Sequence, residues 1–396
     1  MFPKELNESI STSNIVKKEF LSGHEVSLVH SGKEFFDLLV KLIDDSQSSI
    51  HFQTYIFDDD ITGNLVADAL KRAAFRGVKI HLLVDGVGSY SLNREFIDHL
   101  EATGVEFRFF SKLPWHGITQ AGRRLHHKVV VFDQSLALVG GINIANKYND
   151  VDGKAWLDYA LLVKGPIVRQ AEIICKQLNR RRFYKFPKEK VQKIVNGGVE
   201  ARLMQNDWFR RKNEISAGYK TTLKEAKKEI VIVASYFIPS PRLLRILVSA
   251  AKKGKLIKIV LSGQSDVALM RSAMYYLYRK LLVNNVRIFE YKASVLHAKV
   301  CIVDRETVSV GSFNINHLSE FLSVELNVDV KNRNFANSFA QDLDLLMQKD
   351  CDEIFLQDFA VKHTALRQFS TYISFKLISW SMRLLSLFYK VDSRKK

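Results

Sequence analysis

The sequence is poor in cysteine and in metal-ligand patterns. Its three cysteines, Cys175, Cys301 and Cys351, are an odd number and lie far apart in a chain of 396 residues. They exclude a disulfide framework and fit a reducing compartment. No His, Cys, Asp and Glu residues cluster at metal-ligand spacing, so we expect neither a metal nor a cofactor. Residues 1–18 are polar and carry acids, so we expect no signal peptide or membrane anchor there.

Positive charge, by contrast, is abundant. Lys and Arg outnumber Asp and Glu by 59 to 42, giving a net charge of +17 and a pI of about 9.6. This excess predicts an anionic partner, either nucleic acid or acidic lipid. The run from Lys176 to Lys193 is interpreted as a solvated linker or as a patch that faces phosphate or lipid. Its other cations are Arg180, Arg181, Arg182, Lys185, Lys188 and Lys190.

One polar pattern occurs twice, 171 residues apart. Both copies read H-x-K, four residues, D, six residues and G-[GS]-x-N, and such a long match is hard to obtain by chance. A lone H-x-K would carry little weight, and His116 and His317 are therefore interpreted as ordinary histidines. The first copy comprises His126, Lys128, Asp133, Gly141 and Asn143, and the second comprises His297, Lys299, Asp304, Ser312 and Asn314.

The spacing of each copy suits chemistry on a phosphodiester. Runs of Val and Ile after each His predict strands, on which residues i and i+2 share a face. His126 and Lys128 therefore project together, whereas His127 points to the opposite face; His297 and Lys299 repeat the arrangement. Two facing copies supply one neutral imidazole to attack phosphorus and another to protonate the leaving alcohol. The two lysines supply positive charge, and the glycine-rich turns with their Asn residues add hydrogen-bond donors.

The doubled pattern resembles the HKD motif of the phospholipase D superfamily. Four local strings make the chain most similar to bacterial cardiolipin synthases of the shorter, peripheral type. They are Tyr55-Ile56-Phe57-Asp58 with Gly63, Gly140-Gly141-Ile142-Asn143, Tyr236-Phe237-Ile238-Pro239 and Phe289-Glu290-Tyr291. The resemblance implies a phosphatidyltransferase that forms cardiolipin from phosphatidylglycerol through a phosphatidyl-histidine intermediate. By the same resemblance, His126 attacks and His297 protonates the departing glycerol. It further implies catalytic roles for His126, Lys128, Asp133, His297, Lys299 and Asp304, and phosphate-binding or supporting roles for Gly141, Asn143, Ser312 and Asn314.

Two acids follow the motifs in apolar segments. Asp158 comes after the first copy and Glu325 after the second, where an unpaired carboxylate would be unfavourable. A motif His is the natural partner, and the resemblance implies that these acids orient the histidine rings. A salt bridge to a nearby Lys is the alternative.

The order of elements is the same in both halves. It predicts an α/β protein of two pseudo-two-fold-related repeats, each a mixed, mostly parallel sheet flanked by helices, with the active site between them. The expected division is a tail over 1–25, a first repeat over 26–190, a second over 191–358 and a C-terminal helix over 359–396. The predicted strands lie at 50–57, 78–84, 105–110, 230–237, 256–261 and 286–291.

The C-terminal segment predicts a basic amphipathic helix. Residues 362–396 contain eight Lys or Arg and a single acid, Asp392. The charges recur too often for a helix that spans a membrane. The pattern favours a helix lying at the surface of an anionic membrane, and docking on the protein's own core is the alternative. Expected membrane contacts are Lys376, Trp380, Arg383, Phe388 and Lys390.

Competing functions share much of this pattern. A superfamily nuclease would use the same histidines but has no need of an amphipathic tail. A lipid-hydrolysing phospholipase D differs only in admitting water. A non-catalytic scaffold that binds anionic lipid is disfavoured by two intact motifs. We therefore expect a phospholipid substrate, no nucleic acid partner, and a peripheral position on the cytoplasmic face of the cell membrane.

Overall fold

A computed structural model describes residues 18–111, 123–151, 153–180, 198–264, 268–362 and 365–392; for 317, 362, 365–366 and 382–392 it describes the backbone alone. Several residues of the sequence analysis lie outside this description. They are residues 1–17, His116, most of the basic run (Arg181, Arg182, Lys185, Lys188 and Lys190) and the side chains of His317, Arg383, Phe388 and Lys390.

The first repeat is a sheet flanked by helices. Apolar residues at helical spacing, such as Phe36, Leu39 and Ile43, form the buried face of a helix that packs on the sheet. Asp60 and Asn93 cap the second and third helices. The strands are β1 (Leu21–His30), β2 (Ser49–Thr54), β3 (Lys79–Asp85), β4 (Glu106–Phe110), β5 (Arg124–Leu125), β6 (Lys128–Phe132), β7 (Leu136–Gly140) and β8 (Tyr159–Lys164). The helices are α1 (Lys33–Asp45), α2 (Ile61–Phe75), α3 (Arg94–Glu101) and α4 (Pro166–Asn179).

The second repeat retraces this plan and adds C-terminal elements. Its strands are β9 (Val199–Asp207), β10 (Lys212–Asn213), β11 (Glu229–Ala234), β12 (Leu256–Ser262), β13 (Val286–Tyr291), β14 (Lys299–Val303), β15 (Thr307–Gly311), β16 (Ser323–Lys331) and β17 (Cys351–Ile354). Its helices are α5 (Glu214–Glu225), α6 (Pro241–Lys252), α7 (Ala268–Leu282), α8 (His317–Phe321), α9 (Arg333–Asp350), α10 (Leu356–Lys362) and α11 (Ala365–Asp392).

Strand order confirms the two-repeat α/β architecture. The first sheet runs β4-β3-β2-β6-β7-β8-β1, and the second runs β13-β12-β11-β14-β15-β16-β9 with β17 added beyond β13. The expectation of mostly parallel sheets is corrected. Among the described strands of these two sheets, β2–β3–β4 and β11–β12–β13 are parallel, and the other neighbours in the two orders are antiparallel. After each motif the chain turns straight back through short loops, which can join only antiparallel strands.

The two repeats share one central core. Val131 and Leu161 from the first sheet and Val300 and Val328 from the second lie in one buried cluster that also takes in α4 and α9. Each repeat has a second core on its outer face. Strand β1 joins the repeats directly, because it pairs with β8 over one stretch and with β9 over another. It begins at Leu21, inside the predicted N-terminal tail.

The first half of α11 packs on α7 in antiparallel fashion. Ser272 donates a hydrogen bond to Ser374 at 2.9 Å, and Arg279 lies beside Gln368. Tyr276 packs against the ring of Phe375, and Ile378 is buried in the outer core of the second repeat. The docked alternative therefore holds for this half of the helix. Within the described ranges, no helix is both long and apolar enough to cross a membrane.

Candidate active site

The two motifs meet where each repeat exchanges backbone hydrogen bonds with the other. The amide of His126 donates to the carbonyl of Val324 at 3.0 Å, next to the parallel pairing of β5 with β16. Symmetrically, the amide of His297 donates to the carbonyl of Leu157 at 2.8 Å. Each motif histidine is thus fixed to the segment of the opposite repeat that carries an acid.

The acids pair with the histidines across the repeats. Nδ1 of His126 lies 3.0 Å from Glu325, and Nδ1 of His297 lies 2.6 Å from Oδ2 of Asp158. Both carboxylates are buried, with side-chain exposures of 0% and 1%. In each pair Nδ1–H donates to the carboxylate, which leaves the lone pair on Nε2 of the neutral ring. A lysine, the alternative partner that the sequence left open, also contacts one of these acids, because Lys299 lies 3.7 Å from Asp158.

The two lysines give the centre its positive charge. Lys128 donates to the carbonyl of His126 at 2.6 Å, and Lys299 donates to the carbonyl of His297. The Lys299 ammonium also lies 2.8 Å from Nδ1 of His297, but that nitrogen carries the proton given to Asp158 and cannot accept another.

Burial and like charge shift the titration of these groups. Burial, followed by the charge of Lys299, lowers the pKa of Lys128 to about 7. Burial is also the main cause that lowers the pKa of His126 and, to well below its ordinary value, that of His297. The two imidazoles of the centre are therefore neutral, and its two lysine ammonium groups lie beside two carboxylates. The ammonium groups are complementary to the anionic oxygens of a phosphodiester.

Asp133 and Asp304 are not at this centre, and their assignment as catalytic residues is corrected. They lie at the far ends of β6 and β14, seven residues after the motif histidines, which is about 23 Å of extended chain. Each has positive φ, 48° and 54°, in a turn. Each carboxylate accepts hydrogen bonds from three backbone amides at the start of a neighbouring strand. The donors are Gln47, Ser48 and Ser49 at the start of β2 for Asp133, and Lys227, Lys228 and Glu229 at the start of β11 for Asp304.

The glycine-rich loops support the acids. Ser312 donates its hydroxyl to Glu325 at 2.5 Å. Its counterpart Gly141 has no side chain because a Cβ there would lie 2.4 Å from a carboxylate oxygen of Asp158. Glycine at position 141, in place of the serine at position 312, thus leaves room for the carboxylate of Asp158.

The motif asparagines differ from expectation. Asn143 accepts from the amide of Ile56 at 3.0 Å and donates to the hydroxyl of Tyr148 at 2.9 Å. Its amide is therefore committed within the protein rather than directed at a phosphate. Asn314 is buried, and its amide oxygen has no hydrogen-bond partner among the described residues.

Aromatic residues complete the centre, and the motif comparison missed them. Tyr148 meets the ring of His297 edge-on with centroids 5.2 Å apart, and Trp156 lies 6.0 Å from that ring. Tyr55 packs at 5.0 Å from the ring of His126. The second copy has no aromatic residue in register with Tyr148, so a search for repeated residues could not find it.

The site and fold define an enzyme of the phospholipase D superfamily. A family model described as a cardiolipin synthase, phospholipase D-like domain matches residues 39–172 and 219–347. Cardiolipin synthase B of Escherichia coli strain K12 is 32% identical over 347 residues, 86% of this chain and 84% of that protein. A cardiolipin synthase of Alkalihalophilus pseudofirmus is 31% identical over 319 residues, 76% of this chain and 62% of that protein. The chain belongs to the cardiolipin synthase family and is a phosphatidyltransferase.

Solved structures share the fold at much lower identity. Phosphatidylserine synthase of Haemophilus influenzae aligns with a TM-score of 0.74 at 13% identity, covering 93% of this chain and 97% of that one. Polyphosphate kinase of Porphyromonas gingivalis aligns with a TM-score of 0.60 at 15% identity, covering 84% and 49%. The two-repeat architecture is therefore common to proteins of different activity.

Proposed function

We propose that the protein joins two molecules of phosphatidylglycerol into cardiolipin through a phosphatidyl-histidine intermediate. The observation that carries the proposal is the crossed arrangement of two histidine–acid pairs beside two lysines, in a chain of the cardiolipin synthase family. The arrangement supplies a nucleophile, a proton donor and positive charge for one phosphodiester.

In the first step, Nε2 of His126 attacks the phosphorus of the first phosphatidylglycerol. His297 takes up a proton from solvent on Nε2 when the anionic phosphate binds. The bond from phosphorus to the glycerol headgroup then breaks, and this proton passes to the departing glycerol oxygen. Glu325 and Asp158 keep Nδ1 of the two rings protonated, so that only Nε2 takes part. The anionic phosphate raises the pKa of His297 against the lowering by burial and by the lysines.

In the second step, a hydroxyl of another phosphatidylglycerol attacks the phosphatidyl-histidine. Nε2 of His297 takes the proton of that hydroxyl, and the bond between phosphorus and Nε2 of His126 breaks. Cardiolipin leaves, and both histidines return to their starting states. Lys128 and Lys299 stabilise the charge on the phosphate oxygens in both steps.

The enzyme works at the surface of an anionic membrane in this proposal. Phe369, Ile373, Leu377 and Trp380 follow one another at helical spacing on α11, and each has an exposed side chain. Lys376 is an exposed cation beside them. Exposed apolar side chains next to cations suit the boundary between headgroups and acyl chains. The inner, cytoplasmic face is proposed because the cysteines are free and the chain is basic.

The position of α11 relative to the centre supports this surface. Ser262, at the end of β12 that precedes α7, accepts the amide of Leu296, next to His297. Because α11 runs antiparallel to α7, its residues after Ile378 extend about 20 Å toward and beyond this end of the sheet. A membrane against α11 would lie near the entrance to the active site.

Lipid conversion tests the reaction directly. The purified protein is incubated with phosphatidylglycerol vesicles, and the products are identified by mass spectrometry. We expect cardiolipin and glycerol from the wild type, in the presence or absence of EDTA, and neither from His126→Ala or His297→Ala. Free phosphatidic acid as the sole product would assign a hydrolase. Nicking of plasmid DNA without lipid products, lost in His126→Ala, would assign a nuclease.

Membrane docking is tested by point substitutions that keep the packed face of α11. Leu377→Gln and Trp380→Gln each remove an apolar side chain worth about 1–3 kcal/mol of burial. We expect each to weaken binding to phosphatidylglycerol vesicles about tenfold and to leave activity on a short-chain, water-soluble substrate unchanged. Phe75→Gln is the control because Phe75 is 77% exposed on α2, in the other repeat. Equal losses of vesicle binding in all three variants would contradict a role for α11.

A further inference from the structure

The two histidines differ in one neighbour. Tyr148 lies 22 residues after His126, and Ser319 lies 22 residues after His297, so the two occupy equivalent positions in the repeats. The equivalence extends to their contacts. Tyr148 is bonded to Asn143, and Ser319 is bonded to the backbone of Asn314, the corresponding motif residue. A large aromatic hydroxyl in one repeat thus corresponds to a short aliphatic one in the other.

The Tyr148 hydroxyl reaches the reacting nitrogen of His297. Tyr148 is 1% exposed, and its oxygen lies 3.4 Å from Nε2 of His297. Asn143 cannot turn over, because its oxygen accepts the Ile56 amide while its NH2 donates to Tyr148. The tyrosine oxygen therefore accepts from Asn143, and its own proton is directed to Nε2, since Nδ1 of His297 already donates to Asp158.

No described residue makes an equivalent bond to His126. The Ser319 hydroxyl donates nothing to that ring: it accepts the amide of Asn314 at 3.3 Å, and the Ser319 amide caps α8 through Asn316. Among the described residues, none hydrogen-bonds to Nε2 of His126. The His126 side chain is also the more exposed of the two, at 16% against 10% for His297.

We propose that Tyr148, held by Asn143, is a positioning residue that assigns the two histidines different roles. The inference rests on the proposed phosphatidyl-histidine chemistry. A lone pair on Nε2 that accepts the tyrosine proton is not available to attack phosphorus, so the nucleophile is His126. The same hydroxyl keeps the His297 ring oriented for proton exchange with the departing and entering alcohols. Each alcohol replaces the tyrosine at Nε2 while the proton moves.

The location of the covalent adduct tests this assignment. The enzyme reacts with short-chain phosphatidylglycerol and is denatured rapidly at alkaline pH, where phosphorus–histidine bonds survive. Peptide mass spectrometry then counts the phosphatidyl group on His126 and on His297. In the wild type we expect the adduct on His126 in at least tenfold excess. In Tyr148→Phe, which keeps the ring and removes the hydroxyl, we expect the His297 share to rise about tenfold.

Two further variants make the experiment discriminating. Asn143→Asp keeps the acceptor for Ile56 but turns the donor into an acceptor, so the tyrosine proton is drawn to position 143. We expect it to redistribute the adduct as Tyr148→Phe does, which covers the case in which one variant fails to fold. Ser319→Ala is the matched control in the other repeat and should leave the distribution unchanged.

The outcomes separate this inference from the proposed function. An adduct on His297 in the wild type, with cardiolipin formed, overturns the role of Tyr148 and leaves the reaction standing. An adduct that stays on His126 in folded Tyr148→Phe and Asn143→Asp also overturns it. The absence of any adduct together with the absence of cardiolipin overturns both proposals.

Discussion

Gly141→Ala adds a single methyl group where the active site has no room for it. The new Cβ would lie 2.4 Å and 2.5 Å from the two carboxylate oxygens of Asp158, whereas ordinary contacts of a Cβ begin at 3.4 Å. The backbone of Gly141 does not have positive φ, so alanine introduces no torsional strain of its own. The substitution therefore acts on Asp158 and, through it, on His297.

The size of the effect follows from these distances. The carboxylate must withdraw by about 1 Å, which lengthens its 2.6 Å bond to His297 to about 3.6 Å, a distance at which the hydrogen bond is lost. A hydrogen bond to a charged group contributes about 1.5–3 kcal/mol. Its loss in the transition state lowers kcat by about 10- to 150-fold. Overpacking should also lower the free energy of unfolding by about 1–3 kcal/mol.

Cardiolipin formation and thermal unfolding are measured on the same preparations, well below the melting temperature. Gly218→Ala, in α5, is the control, because its Cβ would lie 2.9 Å from the flexible end of the Met204 side chain and otherwise make an ordinary contact with Arg202 at 3.8 Å. A double-mutant cycle with Asp158→Ala locates the effect: Gly141→Ala should reduce kcat no further in that background. Wild-type kcat in Gly141→Ala, or the same fold-loss with and without Asp158, would refute the reasoning.

Three further predictions concern other parts of the molecule. Asp133→Ala should lower the free energy of unfolding by about 1–3 kcal/mol by calorimetry or denaturant titration, with kcat changed less than threefold, because it removes an acceptor of backbone amides far from the centre. The pH profile of kcat/KM should rise near pH 6 as Asp158 ionises and fall near pH 7 as Lys128 loses its proton. Lys128→Arg should move the fall to higher pH, and an unchanged fall would show that Lys128 is not the group that titrates there. Deletion of residues 382–396 should weaken vesicle binding without abolishing it, because Leu377 and Trp380 remain, and should keep the melting temperature. Deletion from residue 365 should lower that temperature because Ile378 is part of the core.

The elements that local pattern determines were predictable from the sequence. Valine- and isoleucine-rich runs identified β6 and β14, and strand register separated His126 from His127, whose ring faces Gln53 at 2.8 Å on the other side of the sheet. The family followed from the doubled motif, and the comparisons confirm it.

Residues outside the local pattern were not predictable. Asp133 and Asp304 occur in both copies of the motif, as the histidines do. Their role is structural, because each hydrogen-bonds its turn to the start of a neighbouring strand. Tyr148 could not be found in this way, because the equivalent residue of the second repeat is Ser319. The tail showed an apolar pattern broad enough for two uses, and one half of α11 serves the core while Leu377 and Trp380 stay exposed. An apolar pattern indicates that a face is buried, but it does not indicate whether the protein core or a membrane covers that face.

The crossed pairing explains how a centre built across two repeats holds each imidazole within hydrogen-bonding distance of its acid. His297 is bonded through its backbone to Leu157, the residue directly before Asp158; His126 is bonded in the same way to Val324, the residue before Glu325. In each pair the histidine donates the backbone hydrogen bond, and the residue that accepts it directly precedes the acid. The backbone bond therefore sets the distance between the ring and the acid. Any movement of one repeat against the other would stretch these backbone bonds and both ring–acid pairs together. The contacts that orient the two imidazoles are therefore also contacts that hold the two repeats together.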